Sequence, residues 1–111
     1  MEVIPEHGEI WWVALDPTPG PEIRKTRPCI VMSVTVLNER RRTVIVVPLS
    51  SSRTSSPPIL VPVSCDGRPA VAVSDQIRAV AKERLRSRLG AVTTEEMAAV
   101  EDGLRQIMQL G

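Results

Sequence analysis

The chain has no Phe and no Tyr, so its aromatic surface is limited to Trp11 and Trp12. It has one histidine, His7, two cysteines, Cys29 and Cys65, and no Cys-x-x-Cys. A zinc site built from Cys and His is nearly excluded by that inventory. So is any Ser-His-Asp or Cys-His arrangement that does not use His7. Chemistry must come from Arg, Ser/Thr, Asp/Glu or the backbone. No apolar stretch approaches the ~20 residues of a membrane span. The start, Met1-Glu2-Val3-Ile4-Pro5-Glu6, is acidic and broken by proline, unlike a secretion signal. These absences point to a soluble, cytoplasmic protein, in which a Cys29–Cys65 disulfide is not expected. Cys29 lies in the apolar run Cys29-Ile30-Val31-Met32 and reads as a small core residue.

A large charge excess is also missing, with 14 Lys and Arg against 13 Asp and Glu. The near balance hides a segregation. Residues 1–21 carry Glu2, Glu6, Glu9 and Asp16 and no Lys or Arg. Residues 22–53 carry Arg24, Lys25, Arg27, Arg40, Arg41, Arg42 and Arg53 against Glu22 and Glu39. Residues 54–111 balance. A basic segment of this kind is either two solvated loop tips or an anion-binding surface. All but two of the basic residues are Arg, which suits bidentate phosphate contacts.

The 111 residues fit one domain, 1–111. Residues 9–15, rich in aromatic and β-branched side chains, read as a strand. Asp16-Pro17-Thr18-Pro19-Gly20-Pro21 cannot continue a sheet, so a loop runs to about Thr26. Strands follow at 28–33 and 43–49, joined by a connection tipped by Asn38-Glu39-Arg40-Arg41-Arg42. After a Ser-rich loop come strands at 59–64 and 70–80, split by the turn signal Asp66-Gly67, and a short strand near 86–92. Residues 94–110 read as a helix, with Thr93 as N-cap and Glu96 completing a capping box. Met97, Val100, Leu104, Ile107 and Met108 share one face of it, and Glu101 and Arg105 pair on the outer side. Gly103 inside this helix costs about 1 kcal/mol relative to Ala.

Strand 9–15 is apolar on both faces, and 43–49 has the same character. Such strands need cover on both sides. One helix cannot cover both faces of a five-stranded sheet, so the sheet must curl on itself, pack on another subunit, or both.

Six segments in order now matter. They are Gly8-Glu9-Ile10-Trp11-Trp12, Leu15-Asp16-Pro17, Gly20-Pro21-Glu22, Arg27-Pro28, Pro48-Leu49-Ser50-Ser51 and Asp75-Gln76-Ile77-Arg78. With this spacing the chain resembles the MazF/PemK family of toxin endoribonucleases from Gly8 to Leu110. The resemblance implies a mainly β fold, a small SH3-like barrel with a C-terminal helix, forming a homodimer. It implies cleavage of single-stranded RNA at short motifs with no metal or other cofactor. The 2′-hydroxyl attacks the adjacent phosphate and leaves 2′,3′-cyclic phosphate and 5′-hydroxyl ends. A cognate antitoxin covers the RNA groove.

On the same resemblance the catalytic Arg is Arg27, directly before Pro28. The catalytic hydroxyl is Ser50, with Ser51 and Ser52 as neighbours able to take the role. Glu22, Gln76, Arg24, Lys25 and Ser51 are the RNA-binding candidates, with Gln76 on the late strand. Glu22 is open between general base, base reader and ion-pair partner of Arg27. Ser stands at 50 where the family usually has Thr, which keeps the hydroxyl but loses the stiffening methyl. Pro21 and Ile23 depart from the usual small polar residue and Gln, which bears on target preference more than on chemistry.

The residues suit this chemistry. The nucleophile belongs to the substrate, so positioning and charge stabilisation supply much of the catalysis. A guanidinium presents several coplanar donors to the anionic oxygens, but with a pKa above about 12 it gives up a proton reluctantly. Arg27 is therefore expected chiefly as a charge clamp. Trp11 and Trp12 point to opposite faces, with packing the first expectation and base stacking on one of them the second. With so few stacking surfaces, RNA binding should lean on Arg and be salt-sensitive. The rival is a protein-binding toxin of the same fold, of the gyrase-poison type, in which the basic loops grip a protein.

Overall fold

The computed structural model describes residues 3–15 and 20–111. The acidic start at Met1 and Glu2, and residues 16–19 of the proline-rich break, lie outside them. The elements are β1 Glu9–Ala14, β2 Thr26–Val31, α1 Thr35–Arg40, β3 Thr43–Ser50, β4 Leu60–Cys65, β5 Arg68–Val73, β6 Arg78–Ala81, β7 Leu85–Ala91 and α2 Thr94–Ile107. Short 3-10 turns at Ser74–Gln76 and Lys82–Arg84 flank β6. The sheet runs β4-β5-β3-β2-β1-β7, with β6 also on β3, so the six expected strand runs become seven strands.

Strand β3 is the hub. One edge pairs with β2, Val47 opposite Ile30. The other edge pairs with β6 over residues 43–46 and with β5 at Leu49 and Ser50. The expected single strand at 70–80 is therefore two strands on one edge, broken by the turn at Ser74–Gln76. That polar triplet interrupts the apolar run, and the Ser74 amide donates to the Ile59 carbonyl at 2.9 Å instead of to a strand partner. Gln76 consequently sits on a turn, not on a strand.

The connection at 34–42 also departs from expectation, because it contains α1. Asn38 is fully buried and organises the region. Its amide donates to the Pro5 carbonyl at 2.8 Å and the Ser33 carbonyl at 3.1 Å. The Ser33 hydroxyl donates to Asn38 Oδ1 at 2.5 Å and accepts from the Ile45 amide at 3.0 Å. A buried side chain so completely paired costs little to desolvate.

Both faces of the sheet are covered, as the two-sided strands require. On one, Trp11, Val13, Val31, Val46 and Val73 pack on one another with no helical residue among them, which is the inside of the curl. On the other, Ile10, Ile30 and Val47 lie under Met97, Val100 and Leu104 of α2. The expected capping box is present, with Thr93 and Glu96 bonding reciprocally. Glu96 also accepts from the Ser64 amide at 2.7 Å, tying α2 to β4. Gly103 fits closely, since a Cβ there would lie 2.6 Å from the Pro58 carbonyl oxygen.

Helix α2 ends earlier than expected. Gln109 takes a left-handed φ of 55°, the Leu110 amide donates to the Arg105 carbonyl at 2.8 Å, and the Gln109 amide donates to Gln106 at 3.3 Å. This Schellman-type end satisfies the last carbonyls and turns Met108 out to solvent. Glu101 and Arg105 do not pair as expected, since Glu101 lies 3.6 Å from His7 and Arg105 lies 3.9 Å from Asp102. Both cysteines are free thiols. Among the described residues, no helix is long and apolar enough to cross a membrane.

Candidate active site

Arg27 is the second residue of β2, opposite Val13 of β1. The connection before it is tightly turned. Gly20 has φ +86°, and a Cβ there would lie 2.9 Å from Glu22 Oε2. Arg24 donates to the Gly20 carbonyl at 2.8 Å, and Lys25 adopts φ 70°. Arg27 Nε donates to the Arg24 carbonyl at 3.2 Å. That bond holds the root of the guanidinium, and among the described residues the two terminal nitrogens have no partner.

Ser50 ends β3, opposite Val71 of β5, and is buried. Its Oγ accepts from the Ser52 amide at 3.3 Å and lies 3.3 Å from Ser52 Oγ. A hydroxyl that accepts from an amide keeps its own proton to donate. Arg27, Ser50 and Ser51 line one open cavity of about 400 Å³, together with Trp12, Asp66 and Arg68. Asp66 comes from the β4–β5 turn and Arg68 opens β5; in the turn Asp66 and Gly67 both have positive φ, the type I′ geometry of Asp-Gly.

The two tryptophans part company. Trp11 is 8% exposed and donates its indole N–H to Glu9 at 3.0 Å, in the core as expected. Trp12 is 37% exposed at the cavity. Cys29 is fully buried in the core, where burial pushes its thiol up to about 12 against the opposing pull of Arg78 and Arg27. Sequence reading gave Arg68 and Asp66 no role beyond a turn. Their signal was the hairpin itself, which returns beside Ser50 once β5 pairs with β3.

Glu22 and Gln76 are placed elsewhere. They line a second cavity, of about 440 Å³, with Arg78. Gln76 Oε1 accepts from the Ile23 amide at 3.3 Å and from Arg78 at 2.9 Å. Arg78 donates further to the Ile23 carbonyl at 3.0 Å and the Gln76 carbonyl at 3.2 Å. This set lashes the first connection to the 3-10 turn. Arg24 and Lys25 are exposed and line neither cavity. Arg40, Arg41 and Arg42 line a third cavity with Glu39 and Glu83, so the basic segment is not one surface. Among the described residues, no three His, Cys, Asp or Glu side chains gather as metal ligands would.

Residues 6–108 match the model of the PemK-like, MazF-like toxins of type II toxin-antitoxin systems. The chain belongs to the PemK/MazF-like toxin family. This PemK/MazF-like chain is 33% identical over 112 residues to endoribonuclease MazF9 of Mycobacterium tuberculosis, covering 93% of the chain and 95% of that relative. It is 30% identical over 99 residues to the endoribonuclease toxin MazF of Escherichia coli, covering 88% of each. A crystal structure of MazF from Deinococcus radiodurans shares the fold, with TM-score 0.87 and 22% identity, covering 98% of this chain and 100% of that one. A mycobacterial endoribonuclease in complex with its cognate antitoxin shares it too, with TM-score 0.78 and 24% identity over 96% of this chain and 97% of that one.

Proposed function

We propose that this chain, acting as one domain, is a sequence-specific endoribonuclease toxin that cleaves single-stranded RNA without a metal. The observation that carries the reading is the convergence of Arg27 and Ser50 on one cavity. The RNA 2′-hydroxyl gives up its proton to water as it forms a bond to the adjacent phosphorus, and the bond to the 5′-oxygen breaks, that oxygen taking a proton from water to leave as the 5′-hydroxyl. The phosphorane between these states carries extra negative charge on its non-bridging oxygens. The terminal nitrogens of Arg27 clamp those oxygens, and charge-assisted donors of this kind hold a transition state more tightly than the ground state. Ser50 donates to a phosphate oxygen or aligns the 2′-hydroxyl, and Ser51 contacts the strand beside it. Glu22, Gln76, Arg24 and Lys25 contact RNA beyond the scissile linkage. Gln76, with its carbonyl oxygen already engaged, has its NH₂ for a base acceptor.

The family supports a cytoplasmic toxin held in check by a cognate antitoxin. It also supports a homodimer, and exposed Val34, Val36 and Leu37 offer a second copy an apolar face. The test is to incubate the pure protein with long RNA in EDTA and map the ends. Discrete cuts with 2′,3′-cyclic phosphate and 5′-hydroxyl ends are expected. Intact RNA, or 5′-phosphate ends, rejects the reading.

A further inference from the structure

The cavity that holds Arg27 and Ser50 is lined by two chemically different sets of side chains. One is cationic and hydroxylic, from Arg27, Arg68 and Ser50. The other is apolar, from Trp12, Pro28 and Leu89. Trp12 belongs by strand alternation to the face that α2 covers at Ile10, yet it remains 37% exposed. Its position is also marked in the backbone. The β1–β7 register shifts between Ile10 and Trp11 and again between Trp12 and Val13. The first shift leaves Leu89 without a partner on β1, and Leu89 lines the cavity. Bulges of this kind re-aim side chains and gather near functional sites.

Phosphate-binding groups and an exposed indole on one cavity are the outline of a nucleotide, not of a phosphate alone. We propose that Trp12 is the stacking platform for one base beside the scissile linkage. Asp66, on the same cavity, accepts from that base's N–H edge. The inference rests on the nuclease reading and deepens it by assigning a base subsite. It gives the chain's one exposed aromatic a role in target preference, since a carboxylate favours bases that present an N–H donor.

The probe is a short RNA bearing the mapped cut site with 2′-deoxyribose at the cleaved nucleotide, titrated against the full chain. Trp12 emission should change on binding. Trp12→Phe, which leaves only buried Trp11, should lose that response yet bind within about threefold of wild type, because an aromatic face remains. Trp12→Leu keeps apolar bulk without a π face and should bind about tenfold more weakly, with KM raised more than kcat is lowered on cleavable RNA. Asp66→Asn should relax base preference at one position beside the cut. Unchanged emission at saturation, or wild-type binding by Trp12→Leu, overturns the proposal. Weakened binding that comes with a shift in sedimentation overturns it too, by placing Trp12 between copies of the chain. If wild type cleaves RNA while Trp12→Leu is unaffected, the platform falls and the nuclease reading stands. If no form cleaves or binds RNA, both fall.

Discussion

Around Gln76 the polar groups bind one another, with Arg78 donating to Ile23 and to Gln76, and Gln76 accepting from Ile23. Around Arg27 one guanidinium bond is spent on the Arg24 carbonyl, and an indole stays exposed. Two cavities of similar size, each with an Arg, differ in where their hydrogen bonds go. A closed network stabilises the fold, and an open one leaves capacity for a ligand. The difference separates activity from stability, and substitutions can break it.

The largest effect belongs to the cavity of Arg27. Arg27→Ala should lower the cleavage rate about 10²–10³-fold, as for loss of a transition-state donor, with the melting temperature nearly unchanged. An unaltered rate places the clamp elsewhere. Around Gln76 the balance should reverse. Arg78→Ala should cost about 2–3 kcal/mol of stability in urea unfolding, by stranding the Ile23 and Gln76 acceptors, with a smaller loss of rate. Gly103→Ala, which raises helix propensity, should nonetheless destabilise by about 1–3 kcal/mol, because its methyl meets the Pro58 carbonyl.

The smallest effect is in pH. Burial pushes Glu9 up, but the Glu6 amide, Trp11 and Arg88 together hold its carboxyl below the ordinary 4.5. A lowered folded value contributes stability that is present above 4.5 and lost as pH falls through the folded value. Thermal unfolding should therefore show a steeper acid loss in wild type than in Glu9→Gln. Equal slopes would contradict the assignment.

Much of this was legible in the residues. Strands apolar on both faces required cover on both sides, Thr93 with Glu96 marked the start of α2, and Asp66-Gly67 marked a turn. Arg27 and Ser50 could be paired through ordered motifs, though they stand far apart in the chain. Other features were hidden because they depend on tertiary partners. Asn38 sits in a charged string that reads as solvent-exposed, and only Pro5 and Ser33 explain its burial. The break in 70–80 follows from Ser74 bonding to Ile59, a long-range contact. Trp11 and Trp12 are identical in type and adjacent, so alternation could separate their faces without saying which lacks a cover.

The central claim is that the substrate supplies its own nucleophile while Arg27 and Ser50 hold the linkage it attacks. A single 2′-deoxy substitution at the cleaved nucleotide addresses it most directly. The account predicts that cleavage at that linkage stops while the oligonucleotide still binds with affinity close to the all-ribose strand. Continued cleavage there would mean that another group attacks the phosphorus, and the mechanism would have to be abandoned.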